Sequence, residues 1–111
     1  MAIPEIEADE AAARAEAGAL VLDVREPDEW AAGHVAASVH IPLGELGARL
    51  AELPGDRPIV AVCRSGARSG TVTEALGSRG YDVVNLVGGL QAWAAEGLPL
   101  VADDGLTGSV L

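Results

Sequence analysis

Lysine and phenylalanine are both absent from the 111-residue sequence, and cysteine occurs once. No apolar run approaches the length of a membrane span. Each absence excludes something. Without lysine, all seven basic side chains are arginines, set against 17 acids, and the formal net charge is −10. A field of that sign repels nucleic acid at long range and no basic stripe offsets it, so no nucleic-acid partner is expected. With Trp30, Trp93 and Tyr81 as the whole aromatic complement, the core has to be built from Val, Leu, Ile and Ala. The single cysteine, Cys63, excludes an internal disulfide and any intramolecular dithiol exchange. The opening stretch MAIPEIEADE carries neither the basic region nor the apolar region of a signal peptide. The expectation is a cytoplasmic protein with no membrane partner.

What is present reads as one globular domain, since half the residues are apolar and the length suits a single core. ALVLDV (Ala19–Val24), PIVAVC (Pro58–Cys63) and DVVNLV (Asp82–Val87) are short bounded runs suited to buried strands. SVHI (Ser38–Ile41) is a shorter fourth strand, and IPEI near the start a fifth that Pro4 confines to an edge. Helices are expected between them: DEAAARAEA over residues 9–17, PDEWAA ending at Gly33, LGELGARLAEL, SGTVTEALGSRG and GLQAWAAEG. Gly70 and Gly77 each cost the fourth of these about 1 kcal/mol relative to Ala. Alternating strands and helices predict an α/β fold, a parallel sheet with helices on both faces. There is no internal repeat. The domain is expected to occupy residues 1–100, with 101–111 (VADDGLTGSVL) a frayed or loosely docked, flexible tail.

The informative stretch is AVCRSGARSG, Ala61–Gly70. In a parallel sheet, ligands bind beyond the carboxyl ends of the strands. Cys63 stands at that end of its strand, and Asp23 and Arg25 stand at the same end of theirs. A strand turning straight into a helix points successive backbone N–H groups inward, a nest beside a helix N-terminus. Gly66 permits the close approach such a nest needs. Helix N-termini and adjacent cations lower a cysteine pKa to about 3.5–7.5. Arg64 and Arg68 add charge at the rim, and Ser65 and Ser69 add hydroxyl donors. A lone cysteine is most often an inert core filler; glycine, two serines and two arginines within six residues make a poor setting for one.

The loop CRSGARS resembles the active-site loop of single-domain rhodanese-like sulfurtransferases. LDVREPDEWAAGHVAASVHIP (Leu22–Pro42) is similar to that family's N-terminal signature, and NLVGGLQAWAAEGLP (Asn85–Pro99) to its C-terminal one. The likeness runs from about Ile6 to Pro99. It implies a three-layer rhodanese-like fold with a five-stranded, mainly parallel sheet. It implies that Cys63 takes a sulfane sulfur from a donor such as thiosulfate as a persulfide. That sulfur then passes to cyanide, to a thiol or to an acceptor protein. Arg64, Ser65, Gly66, Ala67, Arg68 and Ser69 would bind substrate and persulfide, with Asp23 and Arg25 in support. No cofactor is implied. Two-domain thiosulfate rhodaneses carry a further basic residue shortly after Asp-x-Arg, where this chain has Asp28 and Glu29, and the usual Gly-Ala after Gly-His reads Ala37-Ser38 here.

Competing readings are weaker. Phosphatase and arsenate-reductase loops read Cys-x5-Arg, whereas here the arginine comes one residue early and position 69 is serine. His34 and His40 have no zinc-site spacing, so no metal is expected and His34 is read as a loop-anchoring hydrogen-bonder. A non-catalytic, partner-binding or redox-sensing module of the same family is the alternative; its silent members typically lack the loop cysteine, which this chain retains.

Overall fold

The computed structural model describes residues 3–111. Five strands, β1 (Glu5–Ile6), β2 (Leu20–Asp23), β3 (Val39–His40), β4 (Ile59–Val62) and β5 (Val83–Leu86), form one sheet in the order β1-β5-β4-β2-β3. Every pairing is parallel. The strand near Pro4 lies at an edge, as expected, and the Pro4 carbonyl accepts the Asn85 amide. Four α-helices, α1 (Ala8–Glu16), α2 (Pro27–Ala32), α3 (Ala67–Ser78) and α4 (Gly89–Ala95), connect or follow the strands.

The period of two along each strand divides the core into two layers. Val21, Val60, Val62, Val84 and Leu86 meet Ala8 and Ala11 of α1 and Leu90 and Trp93 of α4. Leu20, Leu22, Ile59, Ala61 and Val83 meet Val72 and Leu76 of α3, together with Leu46 and Leu53. Helices on both faces of a parallel sheet give the three-layer α/β architecture the alternation predicts. No described helix is long and apolar enough to cross a membrane.

One expectation is corrected. LGELGARLAEL is not an α-helix but two 3-10 segments, Leu43–Glu45 and Gly47–Glu52, kinked at Arg49 (φ −116°, ψ 17°). Gly44 and Gly47 weaken helical propagation, while the Arg49 guanidinium bonds Glu45 and Glu52 and Leu46 and Leu53 still reach the core. Of the two readings of segment 101–111, frayed or loosely docked, its contacts are those of a docked segment. Val101 bridges antiparallel to both His34 and Thr107, and the amides of Asp103 and Ser109 bond the carbonyls of Ala31 and Ala32 at 3.2 and 2.9 Å. Those carbonyls end α2 and have no partner within it, which gives the segment a place to bind. Helix α3 does form despite Gly70 and Gly77, because Val72 and Leu76 are buried in the core and supply what propensity withholds.

Beyond the carboxyl end of β2 lies a buried ion pair. Asp23 and Arg25 are both fully buried, with Arg25 Nε and Nη2 donating to Asp23 Oδ1 and Oδ2 at 2.9 and 2.7 Å. Two further N–H groups go to the Glu29 and Gly33 carbonyls at 3.2 and 2.7 Å. A fork-to-fork pair with two further protons bonded to carbonyls offsets much of its own desolvation; a lone charge there would not. Asp23→Ala is expected to lower stability by about 3–5 kcal/mol, read from the urea midpoint, whereas replacing both partners by apolar residues is expected to cost less. A loss of under about 1 kcal/mol for Asp23→Ala would show that water reaches Arg25.

Candidate active site

β4 ends at Val62, and the next residue, Cys63, is 1% exposed. The chain then turns through Arg64, Ser65 and Gly66 into α3. Gly66, with φ +102°, is the residue before the helix, and a Cβ in that left-handed conformation would be strained. The turn gathers donors around sulfur. Gly66 N–H donates to Cys63 Sγ at 3.1 Å, Ser69 N–H at 3.4 Å and the Ser69 hydroxyl at 3.3 Å. Burial pushes the Cys63 thiol up, but the Ser69 hydroxyl and the amides of Ser69, Gly66 and Ser65 outweigh it, and the pKa lies below its ordinary value.

Other elements hold this loop in place. The amides of Leu90 and Gln91, at the start of α4, donate to the carbonyls of Cys63 and Arg64 at 2.8 and 3.0 Å. Gly89, with φ +60°, allows that approach: a Cβ there would stand 2.5 Å from the Arg64 and Cys63 carbonyl oxygens. From beneath, Asn85 of β5 donates to the Gly66 carbonyl at 3.1 Å and to Glu5 at 3.1 Å, and accepts from the Ser69 hydroxyl at 2.6 Å. A hydroxyl carries one proton. With Cys63 a thiol, S–H donates to Ser69 Oγ and Oγ–H to Asn85; in the thiolate, Oγ–H turns to sulfur.

The structure therefore brings Cys63, Ser65, Gly66 and Ser69 into one cradle through their backbone and one hydroxyl. Ala67 opens α3 with an exposed side chain. The two loop arginines are turned elsewhere: Arg68 makes a two-toothed ion pair with Glu29 at 2.7 and 2.9 Å, and the Arg64 Nε donates to the main-chain oxygen of Leu111. Asp23 and Arg25 bond each other and the backbone, not sulfur. His34 Nδ1 and His40 Nε2 meet the carbonyls of Trp30 and Arg25, each at 2.7 Å, and both rings stack on Trp30. Among the described residues, no group of three His, Cys, Asp or Glu could hold a metal.

Sequence reasoning missed Asn85 and Glu29 as neighbours of the loop. A buried Asn inside a four-residue apolar strand was the available signal, since such a group needs partners. Nothing local announces Glu29, 39 positions from Arg68.

Ser69→Ala removes one donor to the thiolate and leaves the backbone in place. Cys63 alkylation in the parent chain is expected to show a pH midpoint below the free-thiol value of about 8.5, and in Ser69→Ala a midpoint higher than in the parent. A parent midpoint at or above the free value would exclude the cradle, and an unmoved midpoint in the variant would exclude a part for the hydroxyl.

Comparison with known proteins agrees with this geometry. The family model described as Rhodanese-like domain matches residues 7–96. A protein named Sulfurtransferase from Allochromatium vinosum is 44% identical over 87 residues, 78% of this chain and 81% of that protein. The crystal structure of a rhodanese-related protein from Thermoplasma volcanium superposes with a TM-score of 0.86 at 36% identity, covering 90% of this chain and 99% of the other. A rhodanese-like domain protein from Staphylococcus aureus gives 0.77 at 30% identity, with 82% and 91% covered. The family-model match over residues 7–96, with relatives of this identity and a sulfur-cradling loop at the end of a central parallel strand, shows that the chain belongs to the rhodanese-like domain family.

Proposed function

We propose that this protein is a sulfurtransferase that carries sulfur as a persulfide on Cys63. The observation that supports the reading best is the set of donors converging on one buried sulfur: two amides and a hydroxyl within 3.4 Å. Such donors favour the thiolate, the attacking species. With thiosulfate as donor, Sγ attacks the outer sulfur. A new S–S bond forms, the bond to the sulfonate breaks, and its electron pair leaves with sulfite. The terminal sulfur of the persulfide carries the negative charge that the amides are placed to hold. A nucleophilic acceptor, cyanide in an assay or a thiol in a cell, then attacks that sulfur and returns the Cys63 thiolate. No net oxidation is needed. The sulfur-carrier name of a relative from Bacillus subtilis, 38% identical over 77 residues, suits a protein thiol as acceptor.

A phosphoryl-transfer reading is less well supported, because the Arg68 guanidinium is paired with Glu29 and not turned over the cradle. A reducing compartment, the cytoplasm, suits a lone thiol that must stay free.

Incubating the parent chain with thiosulfate is expected to add the mass of one sulfur atom, which cyanide then removes as thiocyanate. Cys63→Ser keeps the size but removes the nucleophile, so both events are expected to vanish while the far-ultraviolet circular dichroism is retained. Turnover surviving in the folded Cys63→Ser chain would end this reading. Arg64 is exposed and, among the described residues, bonds only a main-chain oxygen of Leu111 through Nε, so unlike Arg68 its charge is not cancelled by a carboxylate side chain, and Arg64→Ala is expected to raise the apparent KM for thiosulfate, most at low salt.

A further inference from the structure

Three arginines lie near the sulfur by sequence or fold, and two are closed into ion pairs. Arg25 is buried against Asp23. Arg68, the second residue of α3, forks onto Glu29 with both contacts below 3.0 Å, the carboxylate largely buried and the guanidinium about one-third exposed. Glu29 is itself held: it is the third residue of α2, and its Oε1 also accepts the Glu26 amide at 3.0 Å in a reciprocal capping box. The hydrogen bonds from Arg68 hold the Glu29 carboxyl down to about 2, so the pair persists through the whole neutral range. Arg68 directly precedes Ser69, whose amide and hydroxyl bond the sulfur at 3.4 and 3.3 Å, so its charge stands beside the cradle, and bonding to Glu29 raises its pKa. A cation adjoins the cradle, with its charge cancelled by a rigidly placed carboxylate in a chain of net charge −10.

We propose that Glu29 is a specificity-determining residue: by masking Arg68 it disfavours small dianionic sulfur donors, such as thiosulfate, relative to donors bearing less charge beside the transferred sulfur. The proposal rests on Cys63 as the sulfur acceptor but concerns the charge that the site presents. If Glu29 served only to cap α2, a neutral side chain that keeps the capping oxygen would leave donor selectivity unchanged. Glutamine keeps that oxygen for the Glu26 amide and removes the charge.

The test measures second-order rates of Cys63 alkylation by neutral iodoacetamide and anionic iodoacetate in the full chain at low ionic strength. Both reagents need the thiolate, so their ratio cancels any change in thiolate fraction. Glu29→Gln is expected to raise the iodoacetate-to-iodoacetamide ratio about three-fold or more, an increase that fades as salt rises. Adding Arg68→Ala to Glu29→Gln is expected to abolish the gain. Glu29→Ala makes the same charge change without the capping oxygen and is expected to shift the ratio alike. The apparent KM for thiosulfate is expected to fall in Glu29→Gln by a similar factor. An unchanged ratio in both folded Glu29 variants, or a gain that survives Arg68→Ala, overturns the proposal. A shifted ratio in a chain that, with Glu29 as the parent residue or as Gln, takes sulfur neither from thiosulfate nor from a less charged persulfide donor upholds the mask and overturns the sulfurtransferase reading instead, so the two failures are distinct.

Discussion

The amides of Leu90 and Gln91 bind the carbonyls of Cys63 and Arg64, and the donors around the sulfur depend on that anchoring. A trans peptide carries its C=O and N–H on opposite sides. Drawing the Arg64 carbonyl toward α4 therefore turns the Ser65 amide the other way, toward sulfur. Below the loop, Asn85 takes the Gly66 carbonyl, and that peptide too is held. Helix α4 can serve as the anchor because Leu90 and Trp93 are buried in the core. The Trp93 indole N–H is itself satisfied by the Pro99 carbonyl at 3.0 Å. The reactive loop is thus oriented by the packing of a helix that follows it by some twenty residues.

The cradle balances two opposed effects. Removing Cys63 from water penalises its charged form, and a buried thiol with no donors would stay protonated. The hydrogen bonds from Gly66 and Ser69 at 3.1–3.4 Å, together with the Ser65 amide, reverse the sign while the sulfur stays buried. Backbone amides suit this role because their direction is set by the chain and costs no side-chain freedom to hold. The Ser69 hydroxyl is the adjustable member, since Asn85 offers its proton a second acceptor.

Polar contacts do for α2 what apolar packing does for the other helices. It has no buried residue. Arg25 bonds the carbonyls at its end, Trp30 stacks on His34 and His40, and the segment after Leu100 takes its last carbonyls. The Glu29 carboxylate stands in the first turn of α2 and is paired with a residue in the first turn of α3, so one negative charge meets the positive ends of two helix dipoles. Arg68 at the start of a helix would be unfavourable alone, and the pairing offsets that.

The sequence by itself determined the order and kind of the elements, because strand and helix periods are local properties of neighbouring residues. Val, Leu and Ile in bounded runs become buried strands wherever they pack, and Cys63 before Gly66 already marks a strand-to-helix turn. Its three signature blocks made the family legible for the same reason. Spacing within each block is a matter of adjacent positions. The kink at Arg49 and the docking of residues 101–111 were less legible, since glycines and polar residues signal irregular chain without saying where it binds. Only the tertiary structure decided which groups face the sulfur. Arg64 and Arg68 sit beside Cys63 in the chain, yet partners 47 and 39 positions away turn their guanidiniums elsewhere. Asn85, 16 positions from Ser69, reaches it from the next strand. Side-chain direction depends on whichever partner lies within hydrogen-bond reach, and distance in space is set by the packed sheet, not by spacing along the chain.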